Sequence, residues 1–349
     1  MTVGVPDTLE ALLKPEWLTR ALAPRFPGIE VATVRLGPIV SRISTNARFR
    51  IECVGGMPEG LVPDLCAKGY FSDHGGADYR YLGEAEACFY RDLAAPSRIR
   101  TLRAVYAEVD PGTRHGVVIS EDVVAQGATF LDSLSAYGPD QTAASLEELA
   151  KLHASTWGHR ADLEVDWLAP RLGSYTAFRG VADIQFNFER EIGAGVPASV
   201  RDPQRVFDAF QALVALTAAD ADRVVTHGDP HVGNLFLDAR GRPAFVDWQM
   251  VQRGPWYLDV GYHLASTLSV DDRRASERDL VRHYLAALKS AGVETPVWDA
   301  AWRGVRLGIV LGLYLWAITR RVDPPITTEL LTRLGTAADD HDALEEVRR

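Results

Sequence analysis

The sequence predicts an α+β protein built in two unlike parts, and three observations carry that expectation. Strand-like runs with one inserted helical stretch fill the chain up to about residue 122. Beyond that point apolar residues recur mainly at helical spacing. Within the helical part, two short apolar runs, Leu235-Phe236-Leu237 and Ala244-Phe245-Val246, flank the turn-rich Asp238-Ala239-Arg240-Gly241 and predict a β-hairpin. The expected parts are residues 1–122 and 123–349.

In order, a helix is expected from Thr8 to about Ala23. Strands follow at Val31 to Leu36, Ala47 to Val54 and Cys66 to Phe71, then a helix from about Leu82 to Leu93. Strands at Arg103 to Val109 and Gly116 to Ser120 complete a small antiparallel sheet. The second part carries helical patterns at Leu146 to Trp157, Pro203 to Asp220, Ser276 to Ala291 and Trp298 to Thr319. No repeat of solenoid period and no low-complexity tract interrupts this order.

Length and composition agree with two real cores, since 349 residues with 47% apolar and 24% charged side chains describe a globular chain. The longest apolar run, Leu307 to Thr319, lies between Arg306 and Arg320; it is too short to span a bilayer and reads as a buried helix. Asp7, Glu10 and Lys14 break up the N-terminal apolar residues, which is not the pattern of a signal peptide. Cys53, Cys66 and Cys88 form neither a close pair nor a zinc spacing, so a reducing cytoplasm is the expected location. A formal charge of −10 argues against nonspecific nucleic-acid or anionic-membrane partners.

Chemistry concentrates in Thr226-His227-Gly228-Asp229-Pro230-His231-Val232-Gly233-Asn234 and in Asp247, just past the hairpin. An Asp followed, after four intervening residues, by an Asn has the spacing of a kinase catalytic loop, in which the Asp takes a hydroxyl proton and the Asn holds magnesium. Asp247 would supply the second metal oxygen, returned toward Asn234 by the hairpin. Magnesium is a hard cation that keeps coordination sites for phosphate, so one carboxylate and one amide carbonyl are a fitting protein share. The alternation His227, Asp229, His231 is also the pattern of a zinc triad, but that reading leaves Asn234 and Asp247 without a role.

His227-Gly228-Asp229, Asn234 and Val246-Asp247-Trp248 resemble the catalytic core of the aminoglycoside phosphotransferase and choline kinase-like superfamily. Asp247-Trp248-Gln249 and Gly254-Pro255-Trp256-Tyr257-Leu258-Asp259-Val260-Gly261 are similar to its ecdysteroid kinase-like branch and that branch's bacterial relatives. The resemblance implies a bilobal protein kinase-like fold, with a small antiparallel sheet lobe containing one inserted helix and a larger, mainly helical lobe. It also implies ATP or GTP with Mg2+, bound between the lobes, and a small-molecule acceptor that offers a hydroxyl.

Lys68 sits in a strand-like run, where a lysine is ordinarily solvent-facing, but Glu84 and Glu86 follow on the inserted helix. A strand lysine paired with a helix glutamate holds ATP phosphates in kinases. Glu86 is preferred because Glu86-Ala87-Cys88-Phe89-Tyr90 resembles a pattern of the superfamily, and Glu86 and Tyr90 share a helix face. By resemblance, the backbone at Glu121 and Val123, in the connector Val117 to Val123, would meet the adenine. Leu36 to Asn46 reads either as a phosphate-covering loop or as a plain hairpin turn. Asp259 matches a residue that braces the catalytic loop, or else is an Asp favoured at a helix start. His153 reads as a packed helix-face residue, while Trp157, Trp167, Trp256 and Trp316 read as acceptor-pocket aromatics or as packing. The alternative to a small-molecule kinase is a noncatalytic kinase-like binding module.

Overall fold

The protein is described by a computed structural model covering residues 3–158, 163–219 and 223–349. Two compact units make up the chain. The first comprises Met1–Pro96, Thr101–Thr129 and Asp247–Met250, and the second Ser97–Arg100, Phe130–Val246 and Val251–Arg349. The single boundary expected after residue 122 falls inside the first unit's Thr101–Thr129 segment.

The first unit is an antiparallel sheet of β1 (Val31–Ser41), β2 (Thr45–Cys53), β3 (Asp64–Gly69), β4 (Ala104–Val109) and β5 (Gly116–Glu121), in the order β1-β2-β3-β5-β4. Period-two alternation decides its faces. Phe49, Ile51, Leu65, Ala67, Val117 and Ile119 point into a core with Leu9, Leu12, Trp17, Leu18 and Leu22. Those last residues come from two helices, Leu9–Leu12 and Pro15–Leu22. A single helix over Thr8 to Ala23 was expected; Pro15 instead starts the second one, because a proline lacks the N–H that an unbroken helix would need there.

Two other elements differ from expectation. β1 continues to Ser41, which pairs with Thr45, so the stretch from Leu36 to Asn46 contracts to a turn at 42–44. Gly37-Pro38 reads as a breaker, yet β1 is an edge strand and absorbs it as a bulge between Leu36 and Ile39. The inserted helix runs Gly83–Cys88, widens to a π turn at Phe89–Leu93, and resumes at Ala94–Ser97.

The second unit is helical, with the expected hairpin formed by Leu235–Leu237 and Pro243–Phe245, Leu235 opposite Phe245. Its long helices are Pro139–Ser155, Pro203–Ala219, Val270–Ser290, Trp298–Ala317 and Pro324–Asp340; Asp220, expected to end the second, lies outside the described residues. Helices Leu172–Phe178, Val181–Phe188, Tyr257–Thr267 and Pro324–Asp340 were not assigned from periodicity, the third being anticipated only through Asp259 at a helix start. The third is buried along nearly its whole length, so it has no polar face to produce an amphipathic period. Among the described residues no helix is long and apolar enough to cross a membrane, and Trp298–Ala317, which contains most of the Leu307 to Thr319 run, is a buried core helix.

Helix Tyr257–Thr267 crosses Trp298–Ala317 backbone to backbone at Gly261 and Gly308. A Cβ on Gly261 would collide with the Val305 carbonyl and stand 2.8 Å from Gly308 Cα. Backbone cannot give way as a side-chain tip does. Gly261→Ala is therefore expected to cost roughly 1–3 kcal/mol or more, read as a lowered urea midpoint at unchanged m-value.

Candidate active site

In the first unit the alternation that turns Leu65 and Ala67 inward turns Lys68 to the opposite face of β3. There its Nζ lies 2.7 Å from Glu86 Oε2 and 2.9 Å from Asp247 Oδ1. Glu86 is buried and also accepts the Trp248 N–H at 3.4 Å. Burial pushes the Lys68 ammonium down, but the Asp247 and Glu86 carboxylates outweigh it and hold its pKa well above the ordinary lysine value. Burial raises Glu86 against the pull of Lys68. Glu84 faces elsewhere and pairs with Arg114.

Asp247 has φ +64, a left-handed conformation rare outside glycine. Its neighbour anchors it. The Trp248 ring is fully buried, stacks on Phe89 at 3.6 Å and 14°, and donates Nε1–H to Thr101 Oγ1 at 3.0 Å. Tyr70 donates to Gln249 Oε1 at 3.2 Å. In the connector, Glu121 is buried, with its carboxylate on Arg103 (2.6 Å) and Gln126 (2.9 Å) and its N–H on the Arg103 carbonyl. Val123 accepts the Gln126 and Ala128 N–H groups through its carbonyl, so what it can offer a base is its own N–H.

In the second unit, strand Val224–Thr226 leads into the loop at His227. Asp259, fully buried in the first turn of helix Tyr257–Thr267, accepts the His227 N–H at 2.6 Å and the Gly228 N–H at 3.0 Å. Gly228 turns with φ +84, where a side chain would be strained. The His227 ring accepts the Asp229 N–H at Nδ1 (3.2 Å) and donates from Nε2 to the Val246 carbonyl (2.9 Å), which fixes one neutral tautomer. Asp259 also faces His153 Nε2 at 3.2 Å, and Tyr284 is hydrogen-bonded to the other nitrogen of that ring at 2.7 Å.

Asp229, largely buried, accepts Tyr262 Oη–H on Oδ1 at 2.8 Å. Asn234 Nδ2 reaches the Asp229 carbonyl at 2.7 Å and its Oδ2 at 3.2 Å, an orientation that leaves the amide oxygen Oδ1 to serve a cation. With both His227 nitrogens engaged and His231 Nδ1 accepting the Gly233 N–H at 3.0 Å, the zinc-triad reading finds no ligand set. Among the described residues no three His, Cys, Asp or Glu side chains converge as a metal site. Taken each by itself, the Asn234 amide oxygen and the Asp247 carboxylate are hard oxygens of the kind that suits magnesium.

Residues 128–301 match the phosphotransferase enzyme family, APH. A choline/ethanolamine kinase family protein from Mesorhizobium loti shares the fold over 97% of each chain at 19% identity, with a TM-score of 0.50. The matched residues hold His227, Asp229, Asn234 and Asp247, so the family match falls on the motifs that carry the resemblance. A second superfamily structure, the GDP complex of wild-type aminoglycoside 2'-phosphotransferase-IIIa, covers 94% of this chain and 99% of its own at 15% identity and TM-score 0.50. An uncharacterized kinase-like protein of Caenorhabditis elegans is 26% identical over 223 residues, 60% of this chain; the match spans 58% of that relative's length. The superfamily's mixed fold is the one described above.

The sequence reading did not reach Tyr262, His263 or Ser145. Tyr262 lies three positions after Asp259 on one helix, so it shares a face with it, and that spacing was the available signal. His263 donates from Nδ1 to the Pro230 carbonyl at 2.6 Å and takes Ser145 Oγ at Nε2 at 2.6 Å. Burial holds His263 down to about 4, and it does the same to His115, whose Nε2 accepts the Tyr70 N–H at 2.8 Å. Both protonate in the unfolded chain near 6.5 and resist it when folded, so stability falls as pH drops from about 6.5 toward 4. Each is expected to remove about 3 kcal/mol across that window. Urea titrations should show a shallower pH slope in His263→Gln than in the parent; equal slopes would contradict the neutral buried state.

Proposed function

We propose that this protein is a small-molecule kinase that transfers the terminal phosphate of ATP or GTP to the hydroxyl of a small acceptor. The observation that carries the reading is the Lys68 ammonium held between Glu86 and Asp247. A surface lysine gains little from one exposed partner, whereas a lysine fixed by two carboxylates is positioned to meet phosphate oxygens. The GDP complex of a superfamily member supports nucleotide binding.

In this reading Lys68 orients the phosphates and Glu86 holds Lys68 in place. The Glu121 and Val123 backbone meets the base, by resemblance to the superfamily's connector. Asn234 and Asp247 hold magnesium, which when bound neutralises charge on the phosphates. Asp229 positions the acceptor hydroxyl and takes its proton, a task that needs an ionised carboxylate within hydrogen-bond reach. The acceptor is a hydroxylated small molecule, and the likeness of Asp247-Trp248-Gln249 to the ecdysteroid kinase-like branch favours a neutral or weakly polar alcohol. A net charge of −10 and three free cysteines support a cytoplasmic enzyme without nucleic-acid or membrane partners.

Calorimetry with Mg2+ and ATP or GTP tests the nucleotide site. Binding is expected in the native protein and its loss in Lys68→Ala and Asp247→Ala; no binding by folded native protein would favour a noncatalytic module. Asp229→Asn should keep nucleotide affinity while turnover with an acceptor falls by about two orders of magnitude or more. Unchanged turnover would remove Asp229 from its role.

A further inference from the structure

Three polar groups run in line through the second unit. Trp316 Nε1 lies 2.7 Å from Tyr262 Oη, and Tyr262 Oη lies 2.8 Å from Asp229 Oδ1. Trp316 and Tyr262 are both buried, on helices Trp298–Ala317 and Tyr257–Thr267. An indole N–H can only donate. The Tyr262 oxygen is therefore the acceptor of that bond, and its single proton is directed to Asp229.

We propose that Tyr262 and Trp316 form a one-way hydrogen-bond line that fixes the Asp229 carboxylate and reserves its Oδ2 for the acceptor proton. The proposal rests on the small-molecule kinase reading of the same site. Oδ1 is occupied by a strong donor whose own oxygen is occupied in turn, so Oδ1 cannot pass a proton back along the line. Oδ2, with Asn234 Nδ2 at 3.2 Å and His231 Nε2 at 3.6 Å, is the more loosely held oxygen. During transfer the acceptor O–H bond breaks and its proton goes to Oδ2. The new O–P bond forms as the terminal phosphate leaves the nucleotide diphosphate. Tyr262 is a positioning residue, because it touches Asp229 and not the reacting atoms.

The line makes a directional prediction about coupling. Tyr262→Phe, which removes only the hydroxyl, should lower kcat about tenfold while both KM values stay within about twofold. Trp316→Phe should lower kcat about threefold, and the double variant should be no slower than Tyr262→Phe, because the indole acts only through the phenol. Additive losses, or unchanged kcat in folded Tyr262→Phe, would overturn the proposal. A second readout needs no turnover: the Trp316 indole N–H resonance, identified by its disappearance in Trp316→Phe, should move in both Tyr262→Phe and Asp229→Asn. A resonance indifferent to both substitutions overturns the line. If the native protein turns over neither an acceptor nor ATP with water, the kinase reading fails by itself, and the resonance still decides whether Asp229 is held this way.

Discussion

The candidate catalytic loop depends on one buried carboxylate. Asp259 directs its oxygens at the His227 and Gly228 N–H groups and at His153, and the left-handed turn at Gly228 follows from that grip. Buried backbone donors left unsatisfied would each cost roughly 1–3 kcal/mol, so the loop has a strong reason to keep this path. From there the His227 ring ties Asp229 N–H to the Val246 carbonyl. One turn further along the helix, Tyr262 reaches the Asp229 side chain itself. A single helix thus sets the loop backbone and the orientation of its acid. That helix is placed in turn by the glycine crossing with Trp298–Ala317, the helix that carries Trp316.

The first unit follows a different electrostatic logic. One ammonium faces two carboxylates, so Lys68, Glu86 and Asp247 together carry an excess negative charge when all are ionised. Burying such a set does little for folding, because desolvation offsets much of the attraction. The set keeps one uncompensated negative charge, which under the proposed reading is where a cation would sit beside Asp247 and phosphate beside Lys68. The aromatic stack of Trp248 on Phe89 explains how Asp247 holds its strained conformation: the residue that follows it is locked on both its ring face and its N–H edge.

Local signals read well here and distant ones did not. The sheet, the hairpin and the loop residues His227, Asp229 and Asn234 were legible because alternation, turn chemistry and spacing act over few residues. Glu86 was separable from Glu84 only through its motif, and in the fold the two carboxylates face different partners, Lys68 and Arg114. Helix Tyr257–Thr267 carried no periodic signal because it is buried all round, which also hid Tyr262 and His263. The β1 edge shows the opposite failure. Gly37-Pro38 has the composition of a loop, and only the pairing of an edge strand, invisible in composition, keeps it extended.

The same three residues that spell a metal triad in sequence, His227, Asp229 and His231, end in opposite employment. A nitrogen that accepts an N–H has its lone pair engaged and cannot also ligate a cation, which removes His227 Nδ1 and His231 Nδ1. His227 Nε2 carries its proton toward Val246. His263, one residue past Tyr262, is likewise kept neutral with Nδ1 on the Pro230 carbonyl. The histidines around the loop therefore act as backbone clamps, and Asp229 is the loop's one carboxylate. A loop built this way suits chemistry in which a single carboxylate manages one proton and the remaining charge belongs to the ligand and its metal, which is the requirement of phosphoryl transfer.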